Sequence, residues 1–353
     1  MLTKVCFVYP WATFGGVERI LLNRAYAFNL LTKTVEMDIF FLHDSGGIKP
    51  FKQAIDAFGL KDVVNIVSTL NSRQYDLISL IDCPEAIHLC RSQKHKLIFE
   101  CHTAYTENRA YLKRIDHINS IICVPSEAFA KKVAKEIPKL SSRIHVLRNF
   151  VPWEINRNIN GAPLKIPQWT RTPILFFGRM DTLKDPITLM EAFLILNMRF
   201  PGKFMLLFCG PETSEIDMEV QLRQRGIRGL SVILPPIPFS MTNSFLREIA
   251  AIGGIFVSPS KGESFGLSAA ESIANGLPVI LSDIEPHEYL CDGDKSFLFP
   301  VGDPLALANR IVWLAQNMST GYEKVKLFRT KFSTHAFIED WKALENIFKS
   351  RNC

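Results

Sequence analysis

The sequence contains no Cys-x-x-Cys pair, no Gly-x-Gly-x-x-Gly turn, no long run of lysine and arginine, and no apolar run near the ~18 residues that a membrane-spanning helix needs. Each absence removes a class of function. Eight cysteines (Cys6, Cys83, Cys90, Cys101, Cys123, Cys209, Cys291 and Cys353) are scattered singly, several in apolar stretches such as Val5-Cys6-Phe7-Val8 and Ile121-Ile122-Cys123-Val124. That spacing suits neither a zinc site nor a disulfide framework; it fits buried, reduced thiols in a cytoplasmic protein. The missing glycine-rich turn argues against an NAD dehydrogenase. The apolar stretch 5–9 is too short for a signal-peptide core and runs into Pro10 and Gly15-Gly16, so neither a cleaved leader nor a transmembrane helix is expected. No recognition motif for nucleic acid is present either.

What is present is enough for two domains. Of the 353 residues, 47% are hydrophobic, so a sizeable core forms without disulfides or metals. The net charge of +6 lies wholly in residues 1–150, which hold 20 basic and 14 acidic side chains; residues 151–353 hold 21 of each. A basic first half suits an anionic partner, and equally an ordinary solvated face.

Apolar strand patterns and helix patterns alternate twice. In the first half, 5–9, 36–42, 63–67, 77–81, 96–100 and 120–124 read as strands, and 18–30, 84–92 and 127–136 as helices. The stretch 151–172, rich in Pro, Asn and Trp, reads as a linker. A second alternation comes after it. Strands are expected at 173–177, 204–209, 231–234, 254–258 and 278–281, and helices at 186–198, 241–251, 265–275, 305–316 and 332–349. The chain therefore reads as α/β, with two Rossmann-like domains and parallel sheets. Ligands in such sheets bind at the carboxyl ends of the strands, and with two domains a cleft between them is expected.

The most informative segment is 261–280. Glu263 and Glu271 stand eight positions apart, and Glu271 is the only charged residue between Glu263 and Asp283. It falls within a helix of small residues flanked by two apolar strands. A carboxylate there is costly to bury without polar partners, and ligand hydroxyls would serve. Upstream, Gly178-Arg179-Met180-Asp181-Thr182-Leu183-Lys184 comes after a strand and precedes a helix. Two cations beside a helix N-terminus suit a diphosphate; two solvated loop cations are the alternative. The turn Thr13-Phe14-Gly15-Gly16-Val17-Glu18 lets backbone approach a ligand at a helix start, or is a plain tight turn. His102, just past the strand at 96–100, is placed to meet a ligand or to serve the core. The segment 128–137 is a basic amphipathic helix, either solvated or touching an anionic membrane surface.

In this order the pieces resemble the retaining glycosyltransferases of the GT-B fold, in particular the large family 4 group. The resemblance spans nearly the whole chain. It rests on Gly15-Gly16-Val17-Glu18, His102, Val124-Pro125-Ser126-Glu127, Val146-Leu147-Arg148-Asn149, Gly178-Arg179 with Lys184, and the Glu263 to Glu271 segment enclosing Phe265-Gly266-Leu267. It implies an acceptor domain over 1–150 with the C-terminal helix (335–353) crossing back onto it, and a nucleotide-sugar domain over 173–334. It implies that Glu271 binds ribose hydroxyls and that Glu263 sits by the donor sugar. Ser264 and the backbone of Phe265, Gly266 and Leu267 would contact sugar and phosphate. Arg179 and Lys184, beside Gly178, would neutralise the diphosphate. Gly15 and Gly16 would close over it, and His102 would touch the sugar from the acceptor side.

The expected reaction is same-face transfer of a hexose from a nucleotide-diphosphate sugar, UDP-sugar favoured, to a glycan or lipid-linked glycan. No metal cofactor is required, and the protein is cytoplasmic or peripheral on the cytoplasmic membrane face. Asp292-Gly293-Asp294 looks like the Asp-x-Asp metal motif of other nucleotide-sugar enzymes but reads as a turn into a strand. Leu234-Pro235-Pro236-Ile237-Pro238 replaces the family's usual glycine-containing turn by the base, which leaves the base open. A sugar-nucleotide epimerase of the same fold and a non-catalytic sugar-nucleotide binder are the rival readings.

Overall fold

Two runs of alternating strands and helices each close into their own parallel sheet. The computed structural model describes residues 3–13, 15–153 and 166–352. The chain divides into two units, Met1–Pro152 with Phe332–Cys353, and Trp153–Lys331. Residues 154–165 of the expected linker lie outside the described residues, as do Phe14 and Cys353.

The first unit contains β1 (Thr3–Ala12), β2 (Val35–Asp44), β3 (Val64–Val67), β4 (Leu77–Ile81), β5 (Leu97–Glu100), β6 (Ile121–Val124) and β7 (Ile144–Val146), in the order β3-β2-β1-β4-β5-β6-β7. Every pairing is parallel. Strands β4, β5 and β6 are buried along their whole length, which is why they read as unbroken apolar runs rather than alternating ones. Helices α1 (Gly16–Ala27), α2 (Ile48–Ala57) and α3 (Glu127–Glu136) belong to this unit. Ser126 caps α3 by accepting from Phe129 N–H at 3.2 Å.

The second unit contains β8 (Thr172–Phe177), β9 (Phe204–Cys209), β10 (Ser231–Leu234), β11 (Ile255–Ser258), β12 (Val279–Ser282) and β13 (Leu298–Phe299), in the order β10-β9-β8-β11-β12-β13, again all parallel. Its helices are α4 (Pro186–Arg199), α5 (Met218–Gln224), α6 (Phe239–Ala251), α7 (Leu267–Ala274), α8 (Glu285–Leu290), α9 (Pro304–Gln316) and α10 (Met318–Phe328). Aspartates open three of them: Asp185, Asp217 and Asp303 each accept a backbone N–H of the first turn.

The last helix, α11 (Thr334–Asn352), returns to the first unit. Trp341 is buried against Phe7 and Phe28, with ring centroids 6.2 and 4.9 Å away, and Phe337 stacks on Phe150 at 4.7 Å. Arg148 grips Asp340 with two guanidinium contacts of 2.7 and 2.6 Å. The aromatic spacing within 332–349 is therefore the seam of a packing helix.

Some expected elements differ. The stretch expected as a helix at 84–92 is a run of 3-10 turns over Pro84–Lys96, broken at Cys90 and Gln93. Pro84 starts it but no regular apolar face continues, so only Ala86 and Cys90 are buried. Helix α1 ends at Ala27 and widens into a π turn over Phe28–Thr32. Helices α2, α5, α8 and α10 and strand β7 were not expected; β7 and α8 are short, whereas α2 buries Phe51, Ala54 and Ile55 at helical spacing, a signal the local sequence carries.

Candidate active site

Two loops at the carboxyl ends of β8 and β11 carry the second unit's expected site residues. They are stitched together by Lys261 N–H donating to the Leu183 carbonyl at 2.8 Å. In the first loop, Gly178 donates its N–H to Cys209 O at 2.9 Å, extending the β8–β9 ladder by one residue. Asp181 is buried and organises the rest of this loop. One oxygen accepts from Lys184 N–H at 2.8 Å and the other meets the Arg179 guanidinium at 3.0 Å. Asp185, in the left-handed region at φ 53°, caps α4 by accepting from the Thr188 hydroxyl at 2.7 Å and its N–H at 3.3 Å. Arg179 stays half exposed, while Lys184 reaches inward.

Lys184 Nζ meets Glu263 Oε1 at 2.5 Å. The same oxygen accepts from Ser260 Oγ at 2.9 Å. Burial by itself would raise the Glu263 pKa; the Lys184 charge, with the hydrogen bonds from Lys184 and Ser260, reverses this and holds the carboxyl below its ordinary range. Beneath it, Ser282 Oγ donates to Ser260 O at 2.5 Å and lies 3.1 Å from His287 Nδ1, which is also 3.1 Å from Ser282 O. His287 is fully buried, and burial pushes its pKa down to about 4 against the pull of Glu263. It is therefore a neutral ring, with Nδ1–H donating to Ser282 O.

The turn after Glu263 leads into α7 through Gly266, whose φ of 89° favours glycine. A Cβ there would also lie 3.2 Å from His287 Cδ2 and Leu290 Cδ1. Phe265 is buried, Ser264 and Leu267 are half-buried, and Leu267 begins the helix. Glu271 lies on α7 and is buried; its carbonyl accepts from Asn275 N–H and Nδ2 at 3.1 and 2.9 Å. The two glutamates thus separate. Glu263 is in the loop with Lys184, and Glu271 is within the helix.

Gly15, Gly16 and His102 belong to the first unit. Gly15 caps α1 and Gly16 is its first residue. A Cβ on Gly15 would meet Thr13 Oγ1 at 3.1 Å and Glu18 Oε2 at 3.2 Å. Glu18, buried in the first turn of α1, reaches back so that Oε1 accepts from Thr13 N–H and Oγ1 at 2.6 and 3.0 Å. Burial raises its pKa despite these bonds. His102 comes just after β5 and is buried, with Nε2 2.9 Å from Glu100 Oε2.

Several residues in these arrangements escaped the sequence reading. Among them, Arg24 meets Glu100 across 76 residues and Ser282 meets Ser260 across 22, whereas Asp181 and His287 bond residues within five positions. A local signal existed for one: Asp181 lies between the two cations. Asp292-Gly293-Asp294 forms the expected turn. Asp294 receives Ser296 N–H at 3.1 Å and Lys324 at 2.7 Å, and Asp292 pairs with Lys331. Among the described residues no group of three His, Cys, Asp or Glu side chains is arranged to hold a metal. The seven described cysteines are free and buried, and burial pushes the thiols of Cys83 and Cys209 up to about 12. Helix α3 buries Phe129 and Val133 and exposes Lys131, Lys132 and Lys135, so its apolar face is already used by the core.

Residues 171–317 match the family described as Glycosyl transferases group 1. Among curated proteins, the D-inositol 3-phosphate glycosyltransferase of Mycobacteroides abscessus is 33% identical over 115 residues, covering 31% of this chain and 24% of that protein. The GDP-mannose:cellobiosyl-diphosphopolyprenol alpha-mannosyltransferase of Xanthomonas campestris is 32% identical over 162 residues, 45% of this chain and 38% of its own. The chain thus spans well under half the length of these curated relatives. Among solved structures, HepE of Anabaena, in complex with UDP and glucose, superposes with a TM-score of 0.73 at 14% identity, covering 98% of this chain and 99% of its own. TarM of S. aureus does so with 0.75 at 13%, covering 98% and 100%. The fold is the GT-B glycosyltransferase fold.

Proposed function

We propose that this protein is a retaining, metal-independent glycosyltransferase of the family 4 type, moving a hexose from a nucleotide-diphosphate sugar, UDP-hexose first, to a glycan or lipid-linked glycan. The observation that carries the reading is the Lys184–Glu263 pair, held on two stitched loops at strand ends beside the start of α7. It falls inside the stretch that matches the glycosyltransferase family.

The chemistry comes from the groups present. Departure of a nucleoside diphosphate develops negative charge, and fixed cations aimed at that charge lower the barrier. Arg179 and Lys184 supply them, and the N–H groups of Phe265, Gly266 and Leu267 add the helix N-terminus. Lys184 leaves Glu263 for the phosphate or bridges both. The freed carboxylate then faces a sugar hydroxyl. Glu271 takes the ribose hydroxyls, with Gly15 and Gly16 by the diphosphate and His102 by the sugar. Substitution on the same face passes through an oxocarbenium-like state, with the leaving phosphate taking the acceptor's proton. No further base is needed. Lys131, Lys132 and Lys135 suit peripheral contact with anionic lipid on the cytoplasmic face.

A thermal-shift panel of UDP-, GDP- and ADP-sugars, then turnover with and without chelator, tests this. Saturating donor at a hundred times its Kd adds about 2.7 kcal/mol to stability, a clear rise in Tm. The GDP-mannose relative of Xanthomonas makes the GDP arm the direct rival. A rise with UDP-hexose and chelator-resistant transfer support the proposal. Binding without any transfer would reduce it to a sugar-nucleotide binder, and release of an epimer from donor alone would replace it.

A further inference from the structure

We propose that Glu100, held by Arg24 and Ser79, is the positioning residue of His102 and fixes its ring with the proton on Nε2, so that Nδ1 presents a hydrogen-bond acceptor to a ligand hydroxyl. The part concerning the hydroxyl rests on the reading of His102 as a sugar contact.

Glu100 ends β5 and is fully buried. Arg24, one per cent exposed on α1, binds it in a fork, Nη1 to Oε1 at 2.8 Å and Nη2 to Oε2 at 2.7 Å. Ser79 Oγ on β4 donates to Oε1 at 2.6 Å. The guanidinium is sandwiched by rings, its carbon 5.3 Å from the Phe7 centroid and 5.6 Å from that of Phe337 on α11. Burial alone would raise the pKa of Glu100, but Arg24 and the His102 hydrogen bond hold it well below the carboxylate range. An ionised carboxylate only accepts hydrogen bonds. His102 Nε2, 2.9 Å from Oε2, must therefore be the donor. In the neutral ring Nδ1 is then left with a lone pair.

The backbone of His102 is fixed separately. Its N–H donates to Asp82 Oδ2 at 3.0 Å, and Tyr111 O–H donates to the other oxygen of Asp82 at 3.2 Å. With main chain and ring both tied, Nδ1 is buried and has no hydrogen-bond partner among the described residues. Buried polar atoms without partners are rare in folded proteins, and one on a ring held this firmly calls for a ligand. As an acceptor it reads a hydroxyl hydrogen and disfavours a carboxylate or phosphate oxygen. That favours a neutral hexose over a uronic acid at this position.

The test is ring-nitrogen NMR of the full chain carrying nitrogen-15 histidine, without donor, at a pH well above the ordinary histidine value of about 6.5. His102→Gln assigns the signal. The wild type should show a protonated Nε2 and a bare Nδ1. In Glu100→Gln the amide oxygen keeps Arg24 Nη1 and Ser79, while its NH2, at the Oε2 position, faces Arg24 Nη2 and the ring, so the proton should move to Nδ1. kcat/KM for a UDP-hexose should fall by at least about ten-fold. A proton on Nδ1 in the wild type, or an unchanged ring in Glu100→Gln, overturns the proposal. Should Glu100→Gln fail to fold, the paired variant Arg24→Met with Glu100→Met removes both buried charges. It should show both ring forms, and a single wild-type-like form would overturn the proposal. A moved proton with unchanged kcat/KM would support Glu100 as the residue that sets the ring and instead sink the reading of His102 as a sugar contact.

Discussion

Lys184 and Glu263 are 79 residues apart in the chain, yet the lysine's Nζ lies 2.5 Å from the glutamate's Oε1. The two expected roles, diphosphate neutraliser and sugar residue, are thus physically one unit before any donor arrives. Lys184→Ala and Glu263→Ala should each lower kcat/KM by roughly a hundred-fold or more, the loss typical of removing one fixed group aimed at transition-state charge. Steady-state rates with far-ultraviolet circular dichroism as the folding control check this. Full turnover by either variant would overturn the assignment.

Acid should weaken the second unit through His287. The unfolded histidine takes its proton near 6.5, whereas burial lowers the folded value to about 4. Between these values the unfolded chain binds more protons. Stability should therefore fall as pH drops through this window and level off below it, by on the order of 3 kcal/mol from this group. His287→Asn keeps a donor for Ser282 and cannot titrate. Urea unfolding across that range should give a flatter pH dependence for the variant, and an equal slope would show that His287 is not the source.

Gly266→Ala should destabilise the turn before α7. Its φ is 89°, and the added Cβ would press on His287 and Leu290 at 3.2 Å. Strain of this kind costs about 1–3 kcal/mol. Because the same turn aims the first N–H groups of α7, donor affinity should fall together with the urea midpoint. Unchanged values for both would refute the tightness of this contact.

Trp341→Ala should cost about 3–5 kcal/mol, the range for removing a large buried ring. Trp341 is one per cent exposed and touches Phe7, Phe28 and Phe337. Thermal denaturation would read it, and a loss under ~1 kcal/mol would mean that α11 is not an integral part of the first unit.

Much of the fold was legible from local pattern. The strands at 77–81, 204–209 and 231–234 stand where their apolar runs placed them. Those at 77–81 and 204–209 are buried along their whole length, and a strand buried on both faces writes itself as an unbroken apolar run. The helix carrying Glu271 was legible from its run of small residues between two apolar strands. Elements with mixed faces were not: α5 buries only Met218 and Leu222, and the turns over Pro84–Lys96 bury only Ala86 and Cys90.

The chain by itself determined the two α/β alternations, the glycine turns and the eight-residue spacing of Glu263 and Glu271, because these depend on neighbours within a few turns of backbone. Only the tertiary structure decided the partners. Parallel sheets order their strands out of sequence, and that order brings Lys184 to Glu263 and, 76 residues apart, Arg24 to Glu100. A buried charge needs an opposite charge or hydrogen-bond donors wherever the fold supplies them. Which residue that is depends on strand order and loop path, which no local spacing records.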